Sequence, residues 1–276
     1  MDYKTLIYRA KSWLKFRLTA WNTGGEGVHS PYLFEWVRMV MMDKNSFYIW
    51  GDIERCREKM LQDGRVLRFE DFGSGAKEKG EVTERRVSDL AKNSLTGKRY
   101  AQMLSRLVNW LGQKQERKDG LVIVELGTSL GITTAYLAAM DSKNKVVSYE
   151  GCEAVAAVAK ENWKRLNISN IECVVGGITA DSLQMAVDRM SEQVDVAFID
   201  ANHTYARTCK YFDVLAGKVH EKSVIVVDDI HHSKEMEQAW KAICADARVT
   251  STIDLYQMGL VFFDKHYWRR NYKMRL

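Results

Sequence analysis

The stretch VIVELGTSLGITTAYLA, residues 122–138, decides the fold. It opens as a short apolar, β-branched run, the texture of a strand buried on both faces, and closes as a helix-period segment. Between the two, Gly127 marks a sharp turn and Gly131 the entry to the helix. The backbone from Thr128 to Ser129 can therefore approach a ligand with no bulky side chain in the way. In a doubly wound sheet such a junction lies at the carboxyl end of a strand, where ligands sit. The spacing Gly-x-x-x-Gly is not the Gly-x-Gly-x-x-Gly that seats a pyrophosphate, which counts against NAD and FAD. Glu125, two residues before the first glycine, can accept a hydrogen bond or attract a cationic group.

Working outward, apolar runs recur at Val146–Tyr149, Ile171–Val175, Val194–Ile199 and Ser223–Val227. They alternate with amphipathic segments at Thr133–Met140, Ala154–Leu166, Ala180–Met190, Tyr205–Leu215 and Lys234–Ala245. This βαβαβαβαβα order predicts a parallel, doubly wound α/β domain. Two further runs, Thr250–Tyr256 and Leu260–Phe263, are joined by only Gln257, Met258 and Gly259, a connection short enough for an antiparallel pair alone. The expected fold class is α/β, a Rossmann-like seven-stranded sheet of five parallel strands plus a C-terminal antiparallel hairpin, with a mainly helical N-terminal extension. NAD-binding Rossmann domains lack that hairpin.

The second strand ends in Ser148-Tyr149-Glu150. An acidic residue about 20 positions past the glycine turn can bind both hydroxyls of a ribose; an exposed loop carboxylate is the alternative, and the glycine turn favours the ribose. Gly176-Gly177-Ile178 ends the third strand, where small residues and one apolar side chain would flank an adenine or form a simple turn. Asp200 ends the fourth strand in FIDANHTY, and Asp228-Asp229 end the fifth in VVDDIHH. Neighbouring strand ends would bring three carboxylates together. Their repulsion would raise their pKa values unless a cation lies among them, and an all-oxygen set suits Mg²⁺. Helix capping or loop support is the alternative role for Asp200 and Asp228. His203 has the chemistry of a general base, or of a hydrogen-bonding residue at the start of the next helix. His231 and His232 are further ligand or substrate contacts, or loop residues.

The series ELGTSLGITTAYLA…VVSYEG…VVGG…VDVAFIDANHTY…VIVVDDI resembles the motifs of class I S-adenosylmethionine (SAM)-dependent O-methyltransferases. The likeness is to the catechol and caffeoyl-CoA group and to sugar O-methyltransferases, and it covers about residues 97–264. It implies SAM contacts at Glu125, Gly127, Thr128, Ser129, Gly131, Glu150, Gly177, Ile178 and Asp200. It also implies a divalent metal, Mg²⁺, at Asp200, Asp228 and Asp229 that would hold both oxygens of a vicinal diol or catechol. The chain departs from the pattern at the base. Where the catechol-type enzymes place a lysine, three residues past the first aspartate, stands His203. Where the sugar enzymes place an aspartate stands Asn202. Asp200 and His203 are the candidate catalytic pair, and the substrate class stays open. Residues 1–96 resemble an extension in some bacterial methyltransferase-like proteins. A second glycine cluster, Glu70-Asp71-Phe72-Gly73-Ser74-Gly75, lacks a following apolar helix and reads as a loop or lid.

Composition sets the wider frame. With 276 residues, 46% hydrophobic and 28% charged, the chain suits a soluble globular protein. It shows no membrane-span run and no secretory signal. Five scattered cysteines without a CxxC read as reduced thiols in a cytoplasmic protein. The expected domains are residues 1–115, a mainly helical extension acting as lid or interface, and 116–276, the SAM-binding methyltransferase domain. The boundary falls in the charged stretch GQKQERKDG, residues 112–120.

Charge is uneven. Residues 1–118 carry 23 Lys/Arg against 15 Asp/Glu, residues 119–264 carry 13 against 21, and residues 265–276 carry 5 against none. The acidic body suits a cationic sulfonium. The basic ends are solvated charge, or meet phosphate, nucleic acid or lipid. The leading expectation is O-methylation of a small-molecule acceptor. An RNA methyltransferase using the basic ends, and a non-catalytic SAM-binding or membrane-surface protein using residues 1–22, are the alternatives. A homodimer is compatible with either. The Asn/Asp-Pro-Pro-Tyr signature of amine-directed DNA methyltransferases is excluded, because Pro31 is the only proline.

Overall fold

A computed structural model describes residues 3–20, 24–70, 82–115, 118–266 and 269–276. The chain begins with α1 (Tyr3–Thr19) and α2 (Pro31–Trp36), which runs on as a π-helical turn, Val37–Met41. Next come α3 (Ile49–Gln62), a hairpin of β1 (Val66–Glu70) and β2 (Val82–Arg86), α4 (Val87–Ser94) and α5 (Lys98–Gln115). The alternating part follows as β3 (Val122–Leu126), α6 (Ile132–Ala138), β4 (Lys145–Glu150), α7 (Glu153–Arg165), β5 (Ile171–Val175) and α8 (Ala180–Arg189). It continues through β6 (Val194–Ile199), α9 (Tyr205–Ala216), β7 (Val219–Asp228), α10 (Lys234–Ala245), β8 (Ser251–Asp254), β9 (Met258–Phe262) and β10 (Arg270–Lys273).

Strands β3 to β10 belong to one mostly parallel sheet, so the α/β class and the alternation are as the sequence implies. The sheet has eight strands, not seven. The extra one, β10, pairs parallel to β8. Its sequence, RNYK, buries only Tyr272 and has no apolar alternation, so it reads as a basic tail. The terminal hairpin is present, with β9 antiparallel to both β7 and β8. The polar stretch 50–80, whose sequence shows no clear period, contains α3 and the first strand of the β1–β2 hairpin. α3 buries Trp50, Ile53, Cys56 and Met60 at helical spacing among its charges. The extension is therefore not wholly helical. Residues 71–81, which hold most of the second glycine cluster, lie outside the described residues.

The chain forms two compact units. One is Met1–Asp43 with Ala180–Leu276, and the other is Lys44–Thr179. The second unit has a shared core. Trp50, Ile53, Cys56 and Ala101 from the extension pack with Ile132, Ala135, Tyr136, Ala159 and Trp163 from α6 and α7. Within that unit the strand order is β3-β4-β5, all parallel. Within the other it is β6-β7-β9-β8-β10. β3 and β6 are buried along their whole length, whereas β5 is half exposed.

Candidate active site

Within Lys44–Thr179 the glycine loop joins β3 to α6 and is tied to β4. The amides of Gly127 and Thr128 both donate to the Tyr149 carbonyl, at 3.0 and 3.1 Å. Gly127 has φ 101°, and Ser129, with φ 49°, also sits in the left-handed region that L residues avoid. The Ser129 amide donates to Glu150 Oε2 at 2.8 Å, and the Cys152 amide to Glu150 Oε1 at 3.0 Å. Glu150 thus fastens the loop through Oε2 and its own β4–α7 turn through Oε1. With the Gly151 amide, three backbone donors meet a carboxylate that has about four acceptor sites. Burial raises the Glu150 pKa while these backbone donors oppose the rise.

Glu125 is fully buried. Its Oε2 accepts from Thr134 Oγ1 and from Ser148 Oγ, both at 2.5 Å, and Ser148 lies directly across the β3–β4 pairing. Its Oε1 is buried with no hydrogen-bond partner. Burial pushes this carboxyl up to about 7, against the pull of those two hydroxyls and with a further push from the charge of Glu150. Thr128 Oγ1 lies 2.6 Å from Ser148 Oγ, so Thr128 is an internal strut of this network.

Gly131 has a packing role that the spacing does not show. It begins α6 with φ 75°, and a Cβ there would lie 2.6 Å from Trp163 Nε1 and 2.8 Å from the Ala159 Cβ. Trp163 Nε1 donates to the Gly131 carbonyl at 2.8 Å. The glycine therefore admits α7 against α6, whereas at Gly176 and Gly177 an added Cβ would meet open space. The Gly176 amide donates to the Glu150 carbonyl at 2.9 Å, and Ile178 is half-buried.

Sequence reasoning missed the supports of this loop. Ser94, the last residue of α4, places its hydroxyl 2.6 Å from that of Ser129. Leu130 is buried among Met60, Val87, Ala91, Val155 and Val158, and Asn162 Nδ2 donates to its carbonyl at 2.9 Å. Nothing in the local pattern of Met60, Val87 or Ala91 signals this, since their partners lie far along the chain.

In the other unit, β6 and β7 run parallel with Ile199 beside Val227, so Asp200 and Asp228 leave adjacent strands at the same level. His203 lies between two carboxylates, with Nε2 3.4 Å from Asp200 Oδ1 and Nδ1 3.9 Å from Asp229 Oδ2. Burial lowers the His203 pKa, while Asp229 opposes the shift and His232, stacked at 6.0 Å, adds to it. Its ring is therefore a neutral imidazole near pH 7. Asn202, His203 and Asp229 have φ 63°, 28° and 55°. Non-glycine residues held there carry strain and cluster at functional loops. Asn202 is gripped by the Tyr211 hydroxyl and by Arg207 Nη1, at 2.9 and 2.6 Å.

Asp228 is buried, its Oδ1 has no partner, and its pKa is well above the usual carboxylate range through burial and then through Asp229. His232 Nδ1 is 3.4 Å from Asp229 Oδ2. His231 turns the other way. Its Nε2 is 2.9 Å from Asp254 Oδ2, and its ring stacks on Tyr256 at 5.1 Å, so it is a structural histidine. Among the described residues, the trio whose ligand atoms gather within 4.8 Å is Glu221, Asp264 and His266. It is largely exposed and lies apart in sequence from the three aspartates.

Residues 124–230 match a family model described as a methyltransferase domain. No curated protein matches the chain. Among solved structures, the chain is similar to the O-methyltransferase from Bacillus cereus in complex with SAH. That match has a TM-score of 0.55 and 18% identity, and covers 82% of this chain and 95% of that one. It is likewise similar to the O-methyltransferase TomG from Streptomyces achromogenes, involved in tomaymycin synthesis and solved with SAM, with a TM-score of 0.55, 14% identity and coverage of 82% and 94%. The chain therefore carries a methyltransferase domain, on the class I fold of the SAM-dependent methyltransferases.

Proposed function

We propose that the protein transfers a methyl group from SAM to a hydroxyl oxygen of a small molecule. SAM supplies an activated methyl on a sulfonium. The observation that carries the reading is the pair Glu125 and Glu150 around the Gly127–Gly131 loop. One has a buried oxygen in need of a cationic or N–H partner. The other stands at the strand end where a ribose would lie. The methyltransferase-domain match and the SAH and SAM bound in the two O-methyltransferases support the same cofactor. Gly177 and Ile178 are its proposed adenine neighbours.

In this reading His203 is the base. A neutral imidazole has one free ring nitrogen, which takes the acceptor's proton while a neighbouring carboxylate holds the other. Asp200 and Asp229 then stabilise the imidazolium that forms. Methyl transfer asks little more of the protein than an in-line, deprotonated nucleophile. The donor chemistry of Asp200, Asp228 and Asp229 also suits a divalent cation, which would have to draw together oxygens that do not all lie within 4.8 Å of one another. The set is all oxygen, and Asp228 Oδ1 is buried without a partner. Mg²⁺ held by these residues would lower the pKa of the attacking hydroxyl. A small-molecule acceptor is favoured by the likeness to TomG, which serves tomaymycin synthesis.

Calorimetric titration with S-adenosylhomocysteine tests the cofactor. The expected result is micromolar binding, weakened about a hundredfold or more in Glu150→Ala, which loses charge-assisted bonding to the ribose. Binding unchanged by that substitution removes Glu150 from the site, and no binding at all overturns the proposal. A parallel Mg²⁺ titration, with binding lost in Asp228→Asn, tests the metal.

A further inference from the structure

Helix α1 is fixed to its own unit by one face. The Tyr8 hydroxyl meets Glu237 Oε2 at 2.5 Å, and the Tyr256 hydroxyl donates to the Arg9 carbonyl at 2.9 Å. Ser12 Oγ lies 3.5 Å from His231 Nδ1, and the buried Phe16 ring is 5.3 Å from Tyr256. Tyr8, Ser12, Phe16 and Ala20 follow a period of four and define the inward side. The opposite side keeps its apolar residues in solvent. Leu6 is 56% exposed, Ile7 37%, Trp13 49%, Leu14 56% and Leu18 78%. At 100° per residue these five and Ala10 fall in one continuous stripe. The helix cannot roll this stripe inward without breaking the Tyr8, Ser12 and Arg9 anchors.

Charge identifies what covers the stripe. The α1 sequence, YKTLIYRAKSWLKFRLT, has five basic residues and no acidic one. Lys11 and Lys15 follow the stripe along one flank, and Arg17 lies within it over the Trp13 ring, 5.3 Å from its centroid. A second copy of the same helix would set like charges against like. An anionic lipid surface accepts both features, with the apolar side chains entering the acyl boundary and the long basic side chains reaching the headgroups. Among the described residues no helix is long and apolar enough to cross a membrane, so the contact is peripheral. We propose that the outward face of α1 docks the protein on an anionic membrane surface. This stands apart from the methyl-transfer reading, because none of the residues it uses belongs to the candidate active site.

Vesicle flotation of the full chain tests it, using phosphatidylcholine alone and phosphatidylcholine mixed with phosphatidylglycerol. Binding is expected to the anionic vesicles, to weaken with salt, and to fall at least about tenfold in Leu14→Glu/Leu18→Glu. Lys11→Glu/Lys15→Glu should weaken it comparably while leaving the stripe intact, and should do so even if the first variant folds poorly. Tyr48→Glu, a fully exposed position elsewhere, should bind as the parent does. Failure to bind anionic vesicles, or binding that neither pair alters, overturns the proposal. So does a dimer in sedimentation that Leu14→Glu/Leu18→Glu splits while vesicles go unbound, which assigns the stripe to a second copy.

Discussion

Glu125 shows how one side chain couples folding to the cofactor loop. Its carboxyl titrates near 7 when folded and near 4.5 when exposed. The folded chain therefore binds this proton more tightly than the unfolded chain does. The stability it contributes is fully present below about pH 4.5 and is lost as pH rises to about 7. The decline is about 1.4 kcal/mol per pH unit and roughly 3 kcal/mol in all. Urea unfolding between pH 5 and 8 should show this decline in the parent and a flatter profile in Glu125→Gln. Saturating S-adenosylhomocysteine should shift the decline to lower pH, because its ammonium group favours the ionised carboxylate. A decline that the substitution leaves unchanged would mean that Glu125 is ionised throughout. Sequence reasoning found Glu125 from its place before the glycine turn. It could not find Ser148 and Thr134, which share one carboxylate oxygen only because β4 pairs in register with β3 and α6 returns over it. Likewise, VVDDIHH presents two histidines as equals, and only the pairing with Asp254 separates the structural His231 from His232.

At the scale of elements, strand and helix order were readable because both signals are local. Continuous β-branched runs mark buried strands, and amphipathic segments mark the helices between them. What escaped was marked by long-range packing alone. α3 and β1 hide in a polar stretch, and β10 buries a single aromatic side chain. Gly131 illustrates the same limit inside a motif that was recognised. The glycine was legible, but its reason was not, because Trp163 lies on α7 and sequence spacing does not reveal what faces a missing Cβ. The consequence is measurable. In Gly131→Ala the new methyl must enter space 2.6 Å from Trp163 Nε1, at φ 75°. Left-handed backbone costs an L residue about 1–2 kcal/mol, and overpacking adds about 1–3 kcal/mol. A loss of roughly 2–5 kcal/mol is expected in urea unfolding, with weaker S-adenosylhomocysteine binding as the loop shifts. Gly177→Ala, where an added methyl meets open space, should cost under about 1 kcal/mol. Equal losses at the two positions would contradict the packing role assigned to Gly131.

For the whole molecule, motif density rises abruptly after residue 120, where the sequence places the methyltransferase domain behind a mainly helical extension. Within Lys44–Thr179 residues of both share one core. Trp50, Ile53, Cys56 and Ala101 complete the core of α6 and α7, while Met60, Val87 and Ala91 enclose Leu130 of the glycine loop. Trp50 Nε1 also donates to Ser105 Oγ at 3.0 Å, binding α3 to α5, and the Tyr136 hydroxyl on α6 donates to Glu54 Oε1 at 2.8 Å. A fragment of residues 116–276 would expose Ile132, Ala135, Tyr136 and Leu130 to water and strand the Tyr136 hydroxyl. Each large apolar side chain so exposed loses about 1.5–3 kcal/mol. Several together approach the whole stability of an ordinary domain, about 5–15 kcal/mol. The fragment should therefore show no cooperative thermal transition by circular dichroism and no S-adenosylhomocysteine binding, although it contains every residue of the candidate site. Removing residues 1–20 should leave cofactor binding within about twofold, since α1 belongs to the other compact unit. A 116–276 fragment that melts cooperatively and binds the cofactor would show that the extension is separable. It would also reduce residues 44–115 to a covering layer, with no structural hold on the glycine loop.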